Sequence, residues 1–362
     1  MALTTVPASM QDATAQYNGF KNRIINGAMV IDQRNAGASF TPVNDQFITD
    51  RFQSMLTQTS KVTSQQSTTA PAGFINSLLV TSSSAYSVVS GDFFGIRQCI
   101  EGLNMTDFGW GASGASTVTL SFWVRSSLTG TFGGSIFNGG GNRSYPFSYT
   151  ISAANTWEQK SITIAGDITG TWTYTNGKGL QLAFGLGVGT TYSGTAGSWS
   201  GNLYISATGA TSVVGTSGAT FYITGVQLEK GSTATGFDYR AWNVEKYLCE
   251  RYCQTTYPYG TAPGTNIGFS GIVGRTGMQG VNGTGEIYQC TQFKQQMRAS
   301  PTISFYDAAG TAGKVTFTNY AVTDTNNISG SVGQSSMNGM GITANTTGYG
   351  GSSYHYLVTA EL

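Results

Sequence analysis

Charge is scarce in this sequence. Of 362 residues, 18 are Lys or Arg and 17 are Asp or Glu, a charged fraction of 10%, against about 25% in ordinary soluble domains. The net charge is +1. Nucleic-acid binding needs clustered Lys and Arg to neutralise phosphates, so no nucleic-acid partner is expected. One histidine, His355, leaves few options for acid–base or nucleophilic catalysis. No run approaches the ~20 apolar residues of a membrane span. The start, Met1 to Pro7, has neither the basic nor the apolar region of a secretory signal. Four cysteines (Cys99, Cys249, Cys253 and Cys290) are too few for a disulfide framework. Cys249 and Cys253 stand four apart on an expected helix. With no histidine or paired CxxC beside them, they read as half-buried thiols, and no metal or cofactor is expected.

What is present points to β structure. There are 50 glycines, 12% aromatics and abundant Ser and Thr. Thr and aromatics suit a pleated, half-buried surface, and glycine punctuates turns. A neutral Ser/Thr/Asn/Gly surface suits either a subunit of a larger assembly or recognition of neutral sugars. Residues 1–20 are polar and without period, and read as an attachment arm.

Apolar runs flank the turn dipeptide Asn26-Gly27. Strands are expected at Phe47–Phe52, Ser116–Arg125, Trp157–Ile164, Leu180–Leu186 and Phe221–Leu228. The second of these alternates Val118, Leu120, Phe122 and Val124 with polar residues. A helix is expected over Asn243–Gln254, capped by Asn243 and ended by Tyr257-Pro258. Further strands are expected at Pro301–Tyr306, Lys314–Phe317 and Tyr354–Ala360, with 326–353 as exposed loops. The fold class expected is all-β: a jelly-roll β-sandwich over 21–237, a linking helix over 238–256 and a smaller β domain over 257–362.

Several runs resemble bacteriophage tail-fibre and virion fibre proteins. They are Lys21-Asn22-Arg23-Ile24-Ile25-Asn26-Gly27-Ala28-Met29 through Asp32-Gln33-Arg34, then Asp50-Arg51-Phe52, and Trp157–Ile164 with Leu180–Gly189 and Trp199. Phe221–Gly231 follows with Ala234–Arg240, then Leu248–Tyr252 and the closing Ala360-Glu361-Leu362. Gly236 stands where the family has Pro, Asp238 where it has Glu, and Phe52 where Trp is commoner. The resemblance covers 20–256 well and the rest loosely. It implies a carbohydrate-binding-module-like jelly roll, a homotrimer and a place on a phage particle.

Enzymatic motifs are missing. No Gly-x-Ser-x-Gly elbow accompanies His355, which reads as a strand-end surface residue. Gly313-Lys314 lacks the rest of a phosphate loop. Asp92, Glu101 and Asp167 are scattered rather than paired as in a glycosidase, and no fixed-period repeat suggests a β-helix depolymerase.

The positive signal is aromatic, because sugar rings stack on Trp and Tyr faces. Trp123, Trp157 and Trp199 read as core. Tyr145, Trp172, Tyr174, Tyr257, Tyr259, Tyr349 and Tyr354 lie in Gly/Thr-rich or loop contexts and read as candidate glycan contacts. The expected function is non-enzymatic adhesion to host-surface carbohydrate by a virion fibre or receptor-binding protein. Residues 1–20 would join another virion protein, and the linking helix, through Tyr247, Leu248 and Cys249, would form a three-fold contact. A structural head fibre, capsid decoration or tail adaptor, and a capsule depolymerase, are the alternatives.

Overall fold

The computed structural model describes residues 20–273, 284–319, 323–347 and 350–362. The expected arm lies outside these residues apart from Phe20, and so does the candidate Tyr349.

Alternation sets the first sheet. In Val118–Ser126, Val118, Leu120, Phe122 and Val124 are fully buried, while Trp123 and Arg125 on the opposite face are half-buried. This strand belongs to a five-stranded antiparallel sheet in the spatial order Val62–Ser67, Ser77–Ser82, Thr220–Lys230, Val118–Ser126, Glu158–Ile164. A six-stranded sheet faces it, ordered Phe47–Thr49, Phe52–Leu56, Phe93–Glu101, Lys178–Val188, Gly130–Asn138, Ser144–Ile151. Hairpin neighbours alternate with pairs distant in sequence, such as Phe93–Glu101 beside Lys178–Val188 and Ser77–Ser82 beside Thr220–Lys230, as in a jelly roll. Phe52, Phe94, Phe122, Phe132, Phe184 and Phe221 fill the space between the sheets. Phe122 and Phe184 meet edge to face at 5.0 Å, the geometry their quadrupoles favour. The fold is nearly all β, as expected.

A second apolar cluster, including Met297, Phe305, Val315, Ile342 and Val358, lies among the C-terminal strands. One sheet there is ordered Cys253–Thr255, His355–Thr359, Thr302–Tyr306. The other is ordered Thr284–Gln292, Gly339–Thr347, Asp324–Ser335, Lys314–Asn319, Gly350–Ser353.

Three local expectations are corrected. Phe47–Phe52 is not one strand, because the chain turns at Asp50-Arg51, with Arg51 at φ 70°, and returns as Phe52–Leu56. The helix spans Trp242–Glu250, and its N-cap is Ala241, which makes no side-chain cap bond. Cys253–Thr255 leaves the helix to pair with Leu357–Thr359. Gln254 Nε2 donates to Glu250 O at 2.9 Å, satisfying one terminal carbonyl. The described part of 326–353 is mostly strand rather than loop. Its low apolar content reflects exposure, since Asp324–Ser335 is paired on both edges yet open to solvent along most of its length.

The family-like motifs meet at one junction. Asn26 Nδ2 donates to Ile31 O and Asp50 O, and Asn26 Oδ1 accepts from Ile31 N at 2.9 Å. Gln33 Nε2 donates to Asp50 and to Cys253 O. Arg34 and Arg51 both pair with Glu361, and the Arg51 guanidinium lies 3.6 Å from the Tyr252 ring centre. Burial opposes ionisation of Glu101, yet hydrogen bonds from Arg251 and Tyr252 hold its carboxyl below the ordinary range. Leu248 and Cys249 pack here on Ile25 and Ile31. The helix face expected to make a three-fold contact is therefore filled by its own chain, and only Tyr247 stays exposed. Cys249 and Cys253 are fully buried rather than half-buried, and burial pushes both thiols up.

Gly27 is required at this junction. A Cβ there would sit 2.2 Å from Val226 O, and that backbone is itself tied to Gly27 O through Val226 N at 3.0 Å. Gly27→Ala is expected to cost about 1–3 kcal/mol through overpacking. A urea midpoint unchanged from the parent protein would contradict this.

Candidate functional site

Most of the aromatics expected at the surface are inside. Trp172 and Tyr145 belong to the jelly-roll core, and Tyr174 is half-buried against it. Trp172, Trp110 and Trp199 form an edge-to-face triad, with Trp110 centroids at 4.7 and 5.3 Å from the other two. Tyr145 abuts Trp199 at 5.2 Å. The three indole N–H groups and the Tyr174 hydroxyl are consumed internally. Trp172 Nε1 donates to Asp167, Trp110 Nε1 to Ser116 O, Trp199 Nε1 to Ala165 O and Tyr174 Oη to Trp110 O. Glycine explains the misreading. Gly111, at φ 89°, lets the chain pass so close to Gly170 that a Cβ would lie 2.4 Å from its carbonyl. The Gly/Thr-rich segment therefore lies flat on the core.

Tyr354 is fully buried, its hydroxyl 2.6 Å from Thr291 Oγ1. Tyr257 is buried and stacks on His355 at 4.5 Å. Of the described candidates, Tyr259 alone is well exposed, at 57%. Trp123, Trp157 and Trp199 are half-buried rather than core.

His355 is not a surface residue. Its Nε2 lies 3.0 Å from Gly268 O and its Nδ1 3.3 Å from Thr256 Oγ1. A carbonyl can only accept, so Nε2 carries the proton and Nδ1 accepts from Thr256. Burial pushes this imidazole down, although the Gly268 carbonyl and Asp307 pull the other way. The folded pKa is thus below the unfolded one. The neutral ring contributes stability above the ordinary value, and this is lost as pH falls through the folded pKa. His355 is the only imidazole in the chain, so its NMR titration is unambiguous. A midpoint below 6.5, the ordinary value, is expected. One at or above it would contradict the buried neutral ring.

The exposed aromatics gather elsewhere. Tyr239 (59%) and Trp242 (44%) stand at the start of the helix with Tyr259 against Trp242, while Tyr247 (56%) lies farther along it. Strand Thr220–Lys230 positions them. Its outward-facing Glu229 accepts from Thr235 N and Oγ1, and its Gln227 Oε1 accepts from Asp238 N at 2.8 Å. This fastening carries Phe237 and Tyr239 against Phe74, with ring centres 5.1 and 5.4 Å from it. Tyr239 Oη donates to Gly73 O at 2.6 Å, fixing the ring. Arg240 then pins the chain, donating to Asn22 O and Ile24 O and pairing with Glu245 at 3.3 Å. Trp242 follows at once, meeting Tyr259 edge to face at 5.5 Å.

These groups enclose a shallow cleft of ≈ 250 Å³, walled by Phe74, Ile75, Phe237, Tyr239 and Trp242 and floored by Arg240 and Glu245. Its charges are balanced within the protein. The Trp242 indole N–H makes no hydrogen bond among the described residues, so it is a donor available to a ligand. The sequence held one clue: three aromatics, Phe237, Tyr239 and Trp242, fall within six positions. Exposure, however, depends on the distant Phe74 and Gln227. No group of three His, Cys, Asp or Glu that could hold a metal ion occurs among the described residues.

No family model and no curated protein matches the chain. Among solved structures, it is similar to the enzymatically active domain of tailspike protein 4 of bacteriophage CBA120. That likeness has 14% identity and a TM-score of 0.32, covering 58% of this chain but only 21% of the tailspike chain. It is also similar to a family 11 carbohydrate-binding module from Clostridium thermocellum in complex with a β-1,3-1,4-mixed-linked tetrasaccharide (12% identity, TM-score 0.29, 55% and 98% covered). A third similar structure is TmCBM61 in complex with β-1,4-galactotriose (9% identity, TM-score 0.27, 50% and 88% covered). At such values these remain similarities, and the residues of the cleft carry the function proposed for it.

Proposed function

We propose that this protein is a non-catalytic glycan-binding subunit of a bacteriophage particle, a virion fibre or receptor-binding protein that adheres to host-surface carbohydrate. The observation that carries the reading is the cleft at the helix start. Exposed Tyr and Trp are concentrated there on rigid supports, and the nearby charges are already paired. Aromatic rings offer sugars an apolar face at low conformational cost. The free indole N–H and the Arg240–Glu245 floor can orient hydroxyls. The phage setting is supported by the Lys21–Arg34, Phe221–Arg240 and Ala360–Leu362 resemblances. A homotrimer, with residues 1–20 joined to another virion protein, is part of this proposal. The shared burial such an assembly provides accords with a 10% charged fraction.

An array of bacterial capsular and O-antigen polysaccharides tests the reading. Binding to at least one of them, without release of reducing sugar, is expected. Failure to bind any would overturn adhesion and favour a structural role on the particle. Release of reducing sugar would favour a depolymerase.

A further inference from the structure

The outer faces of the two jelly-roll sheets differ. The six-stranded sheet's outer residues Met55, Phe137 and Ala183 are covered by Ile205, with Tyr192 and Leu203 packed alongside. The chain between the strands Lys178–Val188 and Thr220–Lys230 thus closes that face. Among the described residues, the five-stranded sheet has no such cover over its full width. At one end, Gln227 and Glu229 lie under Thr235–Asp238. At the other end, Gln65, Leu79, Tyr222, Arg125, Trp123 and Gln159 are half-buried or exposed.

Register places these side chains on one surface. Tyr222 pairs with Leu79 on one side and Arg125 on the other, and Leu79 pairs in turn with Gln65. Thr224, two residues along, pairs with Trp123, which pairs with Gln159. With a side-chain period of two, all of them face outward. Trp157 stands at the rim, its ring centre 6.1 Å from that of Tyr222. The Arg125 guanidinium lies 5.1 Å from the Tyr222 ring centre and is steadied by a 2.9 Å bond from Nε to Asn155 O.

This surface joins the cleft. Gly225, at φ 60°, sits where the register between the central strands shifts. A Cβ there would lie 2.7 Å from Phe74 and 3.0 Å from Trp123. Both rings therefore lie over this glycine. Phe74 is also the cleft wall that touches Tyr239. Aromatic rings thus succeed one another from Tyr239 through Phe74, Trp123 and Tyr222 to Trp157. The first step, Tyr239 to Phe74, is 5.4 Å between ring centres and the last, Tyr222 to Trp157, is 6.1 Å, and the amide side chains of Gln65 and Gln159 lie on the same face.

We infer that the ligand is an internal stretch of a linear polysaccharide, several sugars long, that occupies the cleft and continues across the open face of the five-stranded sheet. This rests on the glycan-binding reading of the cleft. A terminal sugar or disaccharide would fill the cleft alone and leave Trp123, Tyr222 and Trp157 unused. A chain lets each further ring stack in turn.

The test uses the full chain and size-fractionated fragments, disaccharide to octasaccharide, of whichever arrayed polysaccharide is bound. Affinities are read by calorimetry for the parent protein, Trp157→Ala, Tyr222→Ala and Trp242→Ala. The parent is expected to gain about tenfold or more in affinity as the fragment lengthens past the cleft. Trp157→Ala and Tyr222→Ala are expected to bind the disaccharide like the parent and to lose most of that gain. Affinity already at its maximum with the disaccharide, and unchanged in both sheet variants, would overturn the extended site while leaving the cleft intact. Full binding by Trp242→Ala at every length would instead overturn the cleft, and the extended site with it. Both sheet variants alter half-exposed side chains, and an unchanged urea midpoint separates lost contacts from lost folding.

Discussion

Replacing Trp242 with alanine is expected to weaken glycan binding by about 2 kcal/mol or more, roughly thirtyfold, with little change in stability. Trp242 is 44% exposed and touches Tyr259 edge to face, so its loss opens no cavity in the core. It also stands at the first position of the helix, where alanine is readily accommodated. With Tyr239, its ring is one of the cleft's two exposed aromatic walls, and its indole N–H is free among the described residues. Tyr239→Ala is expected to act the same way, with an additional loosening of Gly73, which accepts its hydroxyl bond. Trp172→Ala would contrast with both. It removes a core ring packed on Trp110 and leaves Asp167 without one of its donors. Its cost is expected in folding, about 3–5 kcal/mol, and not in sugar affinity measured on protein that folds. Calorimetric affinity set beside urea denaturation for the three variants checks the division.

The second large effect concerns the chain's penultimate residue. Glu361 pairs with Arg34 at 2.7 Å and with Arg51, whose side chain is only 2% exposed. Glu361→Ala would leave two buried guanidinium groups short of their shared carboxylate. Arg34 would keep Asp50, and Arg51 would keep Cys99 O and the face of Tyr252. Breaking a buried pair by removing one partner typically costs about 3–5 kcal/mol, because an uncompensated charge remains. A loss of that size is expected in urea denaturation, and Glu361→Gln is expected to cost less because it keeps an acceptor. A loss below about 1 kcal/mol would mean that Glu361 acts as an ordinary surface pair. Such a result would remove the physical reason for joining the Lys21–Arg34 motif, the Asp50-Arg51 turn and the C-terminal Ala-Glu-Leu in one network.

Period-two strands were legible because their pattern is local. Val118 to Val124 alternates so cleanly that the core-facing side could be assigned residue by residue, although Thr119 and Ser121 on the other face are buried too. The helix end was not legible, since Cys253–Thr255 is drawn into a strand by partners more than a hundred residues away. Nor was the strand Asp324–Ser335, whose residues carry almost no apolar alternation because most of them face solvent. The candidate site was the least legible part. Glycine-rich context suggested exposure for Trp172 and Tyr174, but there glycine serves close packing. Tyr239 stood inside the Ala234–Arg240 run and Trp242 just beyond it, and neither stood out as a ligand contact. Their exposure is created by Gln227, Glu229 and Arg240, which hold the backbone down while the rings project. The motif is structural in its polar residues and presents the site through its aromatic ones, and only the tertiary pairing separates the two roles.

The most direct measurement is the structure of the protein with a bound oligosaccharide taken from the polysaccharide it recognises. The account predicts sugar rings seated against Tyr239 and Trp242, with a hydroxyl accepting the Trp242 indole hydrogen and further rings passing Phe74 toward Trp123 and Tyr222. Sugar bound elsewhere, against the exposed sheet of Asp324–Ser335 for instance, with the cleft empty, would contradict it.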